Sequence, residues 1–467
     1  MLAPSSVIAC TLALLAPLCS AAGLRDEPIC GAVLQYLDGA DWTLSSSNGS
    51  TVVPATVPGD LLSDLQRAGI IGDPLFGDNL ASTTTAALAL DTWTWSTTFD
   101  LDPDFLAQTG GPGGVLLVLD SVKLAADVTL NGAALISASD QFLRYNATVP
   151  PGLLRPVGNV LAIASPPLSD TRNSAGRFMA CAAGWDWAPQ PAWGPMTRGV
   201  VRSVYLVAAP SVALTHLSPL VFYTGPYPTV PLTDAATAGP WNVSVRVHLA
   251  SAAAPGSAAA AGTLTVSGGW PGAAPVSLPV SVPAGAEAVA SATLVVPPGA
   301  VALWWPAGLG AQPLYSVTAT FTPGSGAAPA SPPVSVSRRI GFRTLALVTD
   351  DDSEPARLAG VDGSGNLTMR WRVNGASVWA RGANMIPMED LDARSSTAAL
   401  EALVQACAQG LGGGEERLIS APATPPRLRS LSPPLASIRC ACGAAASSST
   451  TPSSTPAMRR ASYSTTT

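Results

Sequence analysis

The stretch GGVLLVLDSVKLAADVTLNGAALI, residues 113–136, sets two apolar runs on either side of Asn131-Gly132. A two-residue type I′ turn needs φ > 0 at both central positions, and Asn-Gly supplies it, so the pair predicts a β-hairpin. Similar β signals extend outward from about residue 34 to VRSVYLVAA, residues 201–209. One short helix interrupts them. In VPGDLLSDLQRAG, residues 57–69, Asp60 is placed to cap the first turn and Gly69 to follow the last. This first unit reads as a β-sandwich.

A second block runs from about residue 210 to 345. In WNVSVRVHLAS, residues 241–251, Val243, Val245, Val247 and Leu249 alternate with Ser244, Arg246 and His248, giving one buried and one wet strand face. PVSLPVSVP, residues 275–283, repeats the pattern with Pro279 on the outward side, which suits an edge strand. SVTATF, residues 316–321, does so again, and the block predicts an immunoglobulin-like sandwich. After it, a strand at residues 378–381, a loop, and a helix in SSTAALEALVQACAQG ended by Gly410 read as the first βα unit of an α/β domain. From Arg417 to the end the chain has six arginines, no Asp or Glu, and dense Ser, Thr, Pro and Ala. Such a tail buries too little apolar surface to offset its ordering entropy, and disorder is expected.

With 467 residues there is room for two or three domains. The 43 glycines and 44 prolines against 12% charged residues describe short strands joined by tight turns, a mostly β chain. A net charge of −6 leaves no basic stripe for phosphates, so nucleic acid is excluded as a partner and a neutral ligand is favoured. The apolar run at residues 7–18, followed by Ser20, Ala21 and Ala22, has the length of a secretory leader and is short for a bilayer span. Four N-x-S/T sequons, at Asn48, Asn146, Asn242 and Asn366, agree with secretion and predict glycosylation sites. No later segment reads as a membrane span, so the expected mature chain is soluble and lumenal: extracellular, or in a lysosome or vacuole. Leader removal leaves Cys30, Cys181, Cys407, Cys440 and Cys442, an odd and irregular set rather than a disulfide framework; a Cys30–Cys181 bridge and two buried thiols both remain open.

Only two histidines, His216 and His248, occur in the chain, which argues against a Ser-His-Asp triad or a zinc site. Cys440-x-Cys442 reads as an accident of the tail. No metal or cofactor is expected. Tryptophan is abundant, with twelve, three of them in CAAGWDWAPQPAWGP, residues 181–195. An indole stacks on the C–H face of a sugar while a nearby carboxylate accepts its hydroxyl hydrogen bonds, and Trp185-Asp186-Trp187 has that composition. The alternative is that Trp185 and Trp187 anchor a sandwich core while Asp186 pairs with an arginine such as Arg177.

Seven segments occur in order: VPGDLLSDLQRAGIIGDPLFGDN, DTWTWSTTFD, SDQFLRY, GWDWAP, WWPAGLGAQPLY, RRIGFRTLAL and VNGASVWARGANMIPMEDL. Together, over roughly residues 34–410, they resemble the amino-terminal part of the β-mannosidases, relatives of the β-galactosidases and β-glucuronidases. The resemblance implies a jelly-roll sugar-binding domain, an immunoglobulin-like domain, then a (β/α)8 barrel holding the catalytic site. It implies that Asp186 bonds a terminal mannose of a β-mannoside oligosaccharide or glycan, with Trp185 or Trp187 as a wall. Ala188 departs from the family's usual glycine, where the backbone approaches closely. If residues 378–381 form the first barrel strand, Asn384 lies just beyond its C-terminal end and lines the pocket. Glu389 and Asp390 are expected to cap the next segment of the chain.

The expected domains are therefore a signal peptide at 1–22, a jelly-roll at 23–208, an immunoglobulin-like sandwich at 209–345, an incomplete barrel start at 346–410 and a low-complexity tail at 411–467. A retaining glycosidase needs two carboxylates about 5–5.5 Å apart, and a whole barrel takes about 250 residues. The only acids after Glu401 are the adjacent Glu415 and Glu416, which cannot replace two glutamates from separate strands, so no catalytic residue is assigned. Three readings remain: an incomplete or misread copy of a β-mannosidase, a short secreted non-catalytic sugar-binding or interaction module, or an unstable remnant with uncovered strand edges.

Overall fold

The computed structural model of the chain describes residues 18–19, 28–79, 88, 91–109, 114–123, 125–166, 198–232, 241–254, 256–324, 331–349, 369–380, 382–385, 389, 391–411 and 438–441. It is mostly β, in the sandwich arrangement that the alternating strands imply. After the two-residue β1 (Leu18–Cys19), the first unit comprises β2 (Val33–Tyr36), β3 (Gly39–Ser46), β4 (Val52–Val57), β5 (Trp93–Phe99), β6 (Val115–Leu119), β7 (Ala126–Leu130), β8 (Ala133–Ala138), β9 (Tyr145–Val149), β10 (Asn159–Ser165) and β11 (Val204–Ala208). These form a sheet in the order β4-β3-β5-β10-β7-β8 facing a second in the order β2-β11-β6-β9. Asn131 and Gly132, at φ 49° and 83°, turn β7 into β8.

Trp42, Leu44, Trp93, Trp95, Leu117, Val128, Leu161 and Leu206 fill the space between these sheets. All five residues of β6 are buried. Val115, Leu117 and Leu119 face this core, while Leu116 and Val118 face a smaller cluster with Ile29, Tyr205, Val207, Ala213 and Ala252. That cluster joins the first sandwich to the second, each fully buried Leu or Val contributing about 1.5–3 kcal/mol. At its rim the Tyr205 hydroxyl accepts from Ile29 N at 3.0 Å and donates to Asp120 Oδ1 at 3.2 Å, and Arg144 Nε donates to the same oxygen at 2.7 Å. Burial pushes the Tyr205 phenol well above its ordinary value, so it stays a donor.

The second unit holds β12 (Ala213–Tyr223), β13 (Trp241–Ala250), β14 (Ala260–Gly268), β15 (Val276–Val282), β16 (Glu287–Val296), β17 (Tyr315–Pro323) and β18 (Val334–Ile340). Its sheets run β12-β13-β16 and β1-β18-β17-β14-β15. Pro279 is exposed on β15, which is an edge strand, where its missing N–H leaves no ladder bond unmade. Phe342 sits within 5.5–5.6 Å, centroid to centroid, of Trp241, Trp270 and Tyr315, all edge-on. Six of the twelve tryptophans, Trp42, Trp93, Trp95, Trp241, Trp270 and Trp304, are thus buried in the sandwiches. Much of the tryptophan content is core rather than sugar platform.

A three-stranded antiparallel sheet follows: β19 (Leu345–Val348), β20 (Arg370–Val373) and β21 (Ala376–Val378). The strand expected at residues 378–381 is corrected here. Asn374 and Gly375, at φ 48° and 78°, form another two-residue turn that folds 376–378 back on 370–373, and the strand ends at Val378. Asn374 is fully buried; its Oδ1 accepts from Thr344 N at 3.0 Å and its Nδ2 donates to Trp304 O at 3.0 Å, which fixes the hairpin to the second sandwich. A Cβ on Gly375 would lie 1.8 Å from Val230 O.

Beyond it come β22 (Gly382–Met385), a 3-10 turn at Asp392–Arg394, a helix at Thr397–Leu411 and β23 (Ile438–Ala441). Ser396 Oγ accepts from Ala399 N at 3.1 Å and so caps the helix, which runs one residue past Gly410. β22 pairs antiparallel with β23, although the chain from Arg417 onward was expected to be disordered. A free strand edge takes up an extended segment, and Leu18–Cys19 does the same on β18.

Candidate functional site

The helix Leu61–Arg67 organises one end of the first sandwich. Asp60, fully buried and extended at φ −139°, is its N-cap: Oδ1 accepts from Ser63 N at 2.9 Å, and Oδ2 accepts from Ser63 Oγ at 2.9 Å. Gly69, at φ 73°, follows the last turn. Beneath the helix the Asp64 carboxylate accepts from Trp95 Nε1 at 3.2 Å and from Arg67 NH1 at 2.7 Å. Burial raises the Asp64 pKa, against the lowering pull of these partners. Asp64 thereby ties the helix to β5 and has a structural role.

Beside this helix lie both stems of residues 167–197. Arg198 is fully buried, and its guanidinium donates to Ser165 O at 3.2 Å and also to Pro166 O and Asp91 O. One side chain thus holds the point where the segment leaves β10 to the point where it returns. Burial lowers the Arg198 pKa to about 10, opposed by the charge of Asp91. The returning backbone is pinned three times, by Leu61 N to Arg198 O, Gly59 N to Val200 O and Lys123 N to Gly199 O, each at 2.8 Å. A Cβ on Gly199 would stand 2.4 Å from Gly59 O, so only glycine allows this approach.

Residues 391–394 dock on the same end. Leu391 packs into the first core. Ala393 N donates to Asp60 Oδ2 at 2.9 Å, Lys123 Nζ pairs with Asp392 Oδ2 at 2.7 Å, and Arg394 NH2 donates to Gln66 Oε1 and Asp73 Oδ1, both at 2.7 Å. Arg394 holds the Asp73 carboxyl below its ordinary value. Ser63, Gln66, Arg67, Ala393 and Arg394 line a shallow recess of about 300 Å³.

Trp185, Asp186 and Trp187 lie outside the described residues, as do Asp390, Arg177, Cys181 and Asn366. Asn384 sits within β22, in register with Arg439, rather than beyond the end of a strand. Glu389 Oε1 accepts from Leu391 N at 3.3 Å, but the 3-10 turn Asp392–Arg394 has Leu391 as its N-cap and no side-chain capping hydrogen bond, so Glu389 does not cap it as expected. Local sequence patterns do not reveal Arg198, Asp392 or Arg394; Asn374-Gly375 carried the same hairpin signal as Asn131-Gly132. Asn48 is exposed in the turn between β3 and β4, Asn146 is exposed on β9, and Asn242 is half-buried on β13. The two histidines are cross-strand partners with ring centroids 5.7 Å apart. Burial, then Arg338, His248 and Arg144, lower the His216 pKa to about 4. Among the described residues no group of three or more His, Cys, Asp or Glu is placed to hold a metal, and no helix is long and apolar enough to cross a membrane.

Residues 42–202 match the family described as glycosyl hydrolase 2 galactose-binding domain-like. A mouse β-mannosidase is 24% identical over 396 residues, 79% of this chain and 40% of that protein. The chain is β-mannosidase-like. This β-mannosidase-like chain spans about 40% of the length of the first curated relatives it matches. Its fold is that of a β-D-mannosidase from Dictyoglomus thermophilum, at a TM-score of 0.60 and 19% identity over 80% of this chain and 42% of that one. An exo-chitosanase from Amycolatopsis orientalis aligns at 0.57 and 20% identity over 79% and 39%.

Proposed function

We propose that the chain is the substrate-recognising part of a retaining β-mannosidase, which in complete form releases terminal β-D-mannose from oligosaccharides and glycoprotein glycans. The observation that carries this reading is that residues 391–394 dock on Asp60, Gln66, Asp73 and Lys123, at the end of the first sandwich where Gly59, Leu61 and Lys123 also pin the returning stem of residues 167–197. Through Asp60, Arg198 and Lys123, the segment bearing Trp185, Asp186 and Trp187 and the segment that follows Asn384 are anchored at one end of the first sandwich. In this reading Asp186 accepts hydrogen bonds from the mannose hydroxyls, Trp185 or Trp187 stacks on its C–H face, and Asn384 completes the pocket.

Hydrolysis with retention takes a nucleophilic carboxylate and an acid/base carboxylate about 5–5.5 Å apart. Glu415 and Glu416, adjacent in a glycine-rich sequence, do not match that pair, and no catalytic residue is assigned within residues 1–467. The apolar leader and the sequons support passage through the secretory pathway, to a lysosome or vacuole or outside the cell.

Peptide mass spectrometry on the natural protein, together with an aryl β-mannoside assay, tests the proposal. Peptides running from residues 395–410 into a barrel with two further glutamates, in a protein that hydrolyses the mannoside, are the expected result. Peptides from residues 430–439 in a protein without hydrolysis overturn hydrolysis and leave binding, or an unstable remnant.

A further inference from the structure

We propose that Asn242 carries an N-linked glycan whose first sugar stacks on Phe222 and covers an apolar strip on the outside of the second sandwich. The sheet β12-β13-β16 turns one face to the core and the other to solvent. On the solvent face Phe222, Asn242 and Val295 stand in one cross-strand row, which puts neighbouring Cβ atoms about 4.5–5.5 Å apart. Phe222 is 50% exposed, Val295 67% and the adjacent Leu220 44%. An apolar strip on this outer face is a surface that an occupant would bury.

The occupant is built into the middle strand. Asn242-Val243-Ser244 is a sequon, and strand alternation sends Val243 into the core while Asn242 and Ser244 share the outer face. An N-acetylglucosamine on Asn242 leaves the sheet between Phe222 and Val295, with a C–H face free to lie on the phenyl ring. Asn48, by contrast, sits in a polar turn with its Oδ1 held by Ser46 Oγ and Ser50 N.

The chemistry requires a lipid-pyrophosphate-linked oligosaccharide in the lumen. The Asn242 amide nitrogen attacks the anomeric carbon, a C–N bond forms, the C–O bond to pyrophosphate breaks, the lipid pyrophosphate leaves and the amide gives up one proton. The inference rests on the secretory reading, so delivery and modification are tested separately. The 467-residue chain, with Asn48, Asn146 and Asn366 changed to Gln, is sent to the lumen of a eukaryotic host by a heterologous leader. Peptide mass spectra before and after peptide-N-glycosidase read occupancy of Asn242. Thermal unfolding of both forms is then compared with Phe222→Ser, and with Phe222→Leu should the serine variant not fold.

The expected result is an occupied Asn242, a fall of about 2–4 °C in Tm on deglycosylation, and a clearly smaller fall in the Phe222 variants. A lumenal chain with bare Asn242, or equal falls with and without Phe222, overturns the inference. A chain glycosylated behind the heterologous leader but not behind its own overturns only the secretory reading.

Discussion

Replacing Asp60 with asparagine separates capping of the helix Leu61–Arg67 from docking of residues 391–394. Asp60 Oδ1 caps through Ser63 N, and Oδ2 accepts from Ala393 N. Asparagine is as good an N-cap as aspartate, but its amide NH2 cannot accept from Ala393. The lost bond joins a backbone donor to a carboxylate in a fully buried site, which is worth about 1.5–3 kcal/mol. Opening of the docked turn should therefore increase about 10- to 150-fold. Hydrogen exchange at the Ala393 amide reads this directly, and the rate of tryptic cleavage after Arg394 reads it independently. Asp60→Ala should release the turn similarly and also remove the cap, a further loss of about 1 kcal/mol, or about 2–4 °C in Tm. Unchanged exchange at Ala393 in Asp60→Asn would refute the docking role, and equal melting of the Asn and Ala variants would refute the capping role.

Other outcomes rest on the same contacts. Because Arg394 holds the Asp73 carboxyl below its ordinary 3.8, the pair's contribution is complete above that value and is lost as pH falls through the lowered one. Tryptic release at Arg394 should be flat from pH 7 to 5 on this account, and Asp73→Asn should raise it throughout. His216 behaves differently: with a folded value of about 4 against an ordinary 6.5, it penalises the fold progressively as pH drops across that interval. At about 1.4 kcal/mol per unit the ceiling is about 3.4 kcal/mol, and its half-exposure cuts this to about 1–2 kcal/mol. Denaturant titrations of His216→Gln at pH 7 and 4.5 should show that dependence reduced. Gly375→Ala places a Cβ against Val230 O at a positive φ and should lower stability by about 2–4 kcal/mol, whereas melting within 1 °C of the parent would show that the hairpin is not clamped to the second sandwich.

Elements whose cause is local were legible in the sequence. The Asn131-Gly132 turn, the Asp60 cap and the edge position of Pro279 each follow from the chemistry of one or two residues, and each stands where that chemistry puts it. The junctions were not legible, because their partners are far apart in the chain. Lys123 and Asp392 are 269 positions apart, and Ile29 and Tyr205 are 176. Strands buried on both faces, such as β6 and β11, lose the alternation that would tell which side meets which core. Tryptophan content pointed toward sugar binding, yet Trp93 and Trp95 lie on the inner face of β5 and Trp241 is packed edge-on against Phe342. For the site, the stems and their clasp are defined by Arg198 and Asp60, neither of which carries a pattern that names its partner.

Isothermal titration of the 467-residue chain with a β-linked manno-oligosaccharide, alongside Asp186→Ala, tests most directly whether the molecule recognises β-mannosides. The account predicts heat from saturable binding in the parent and its loss in the variant, with the melting temperature of the variant unchanged. No heat at millimolar ligand, or equal binding by the Asp186→Ala chain, would contradict it.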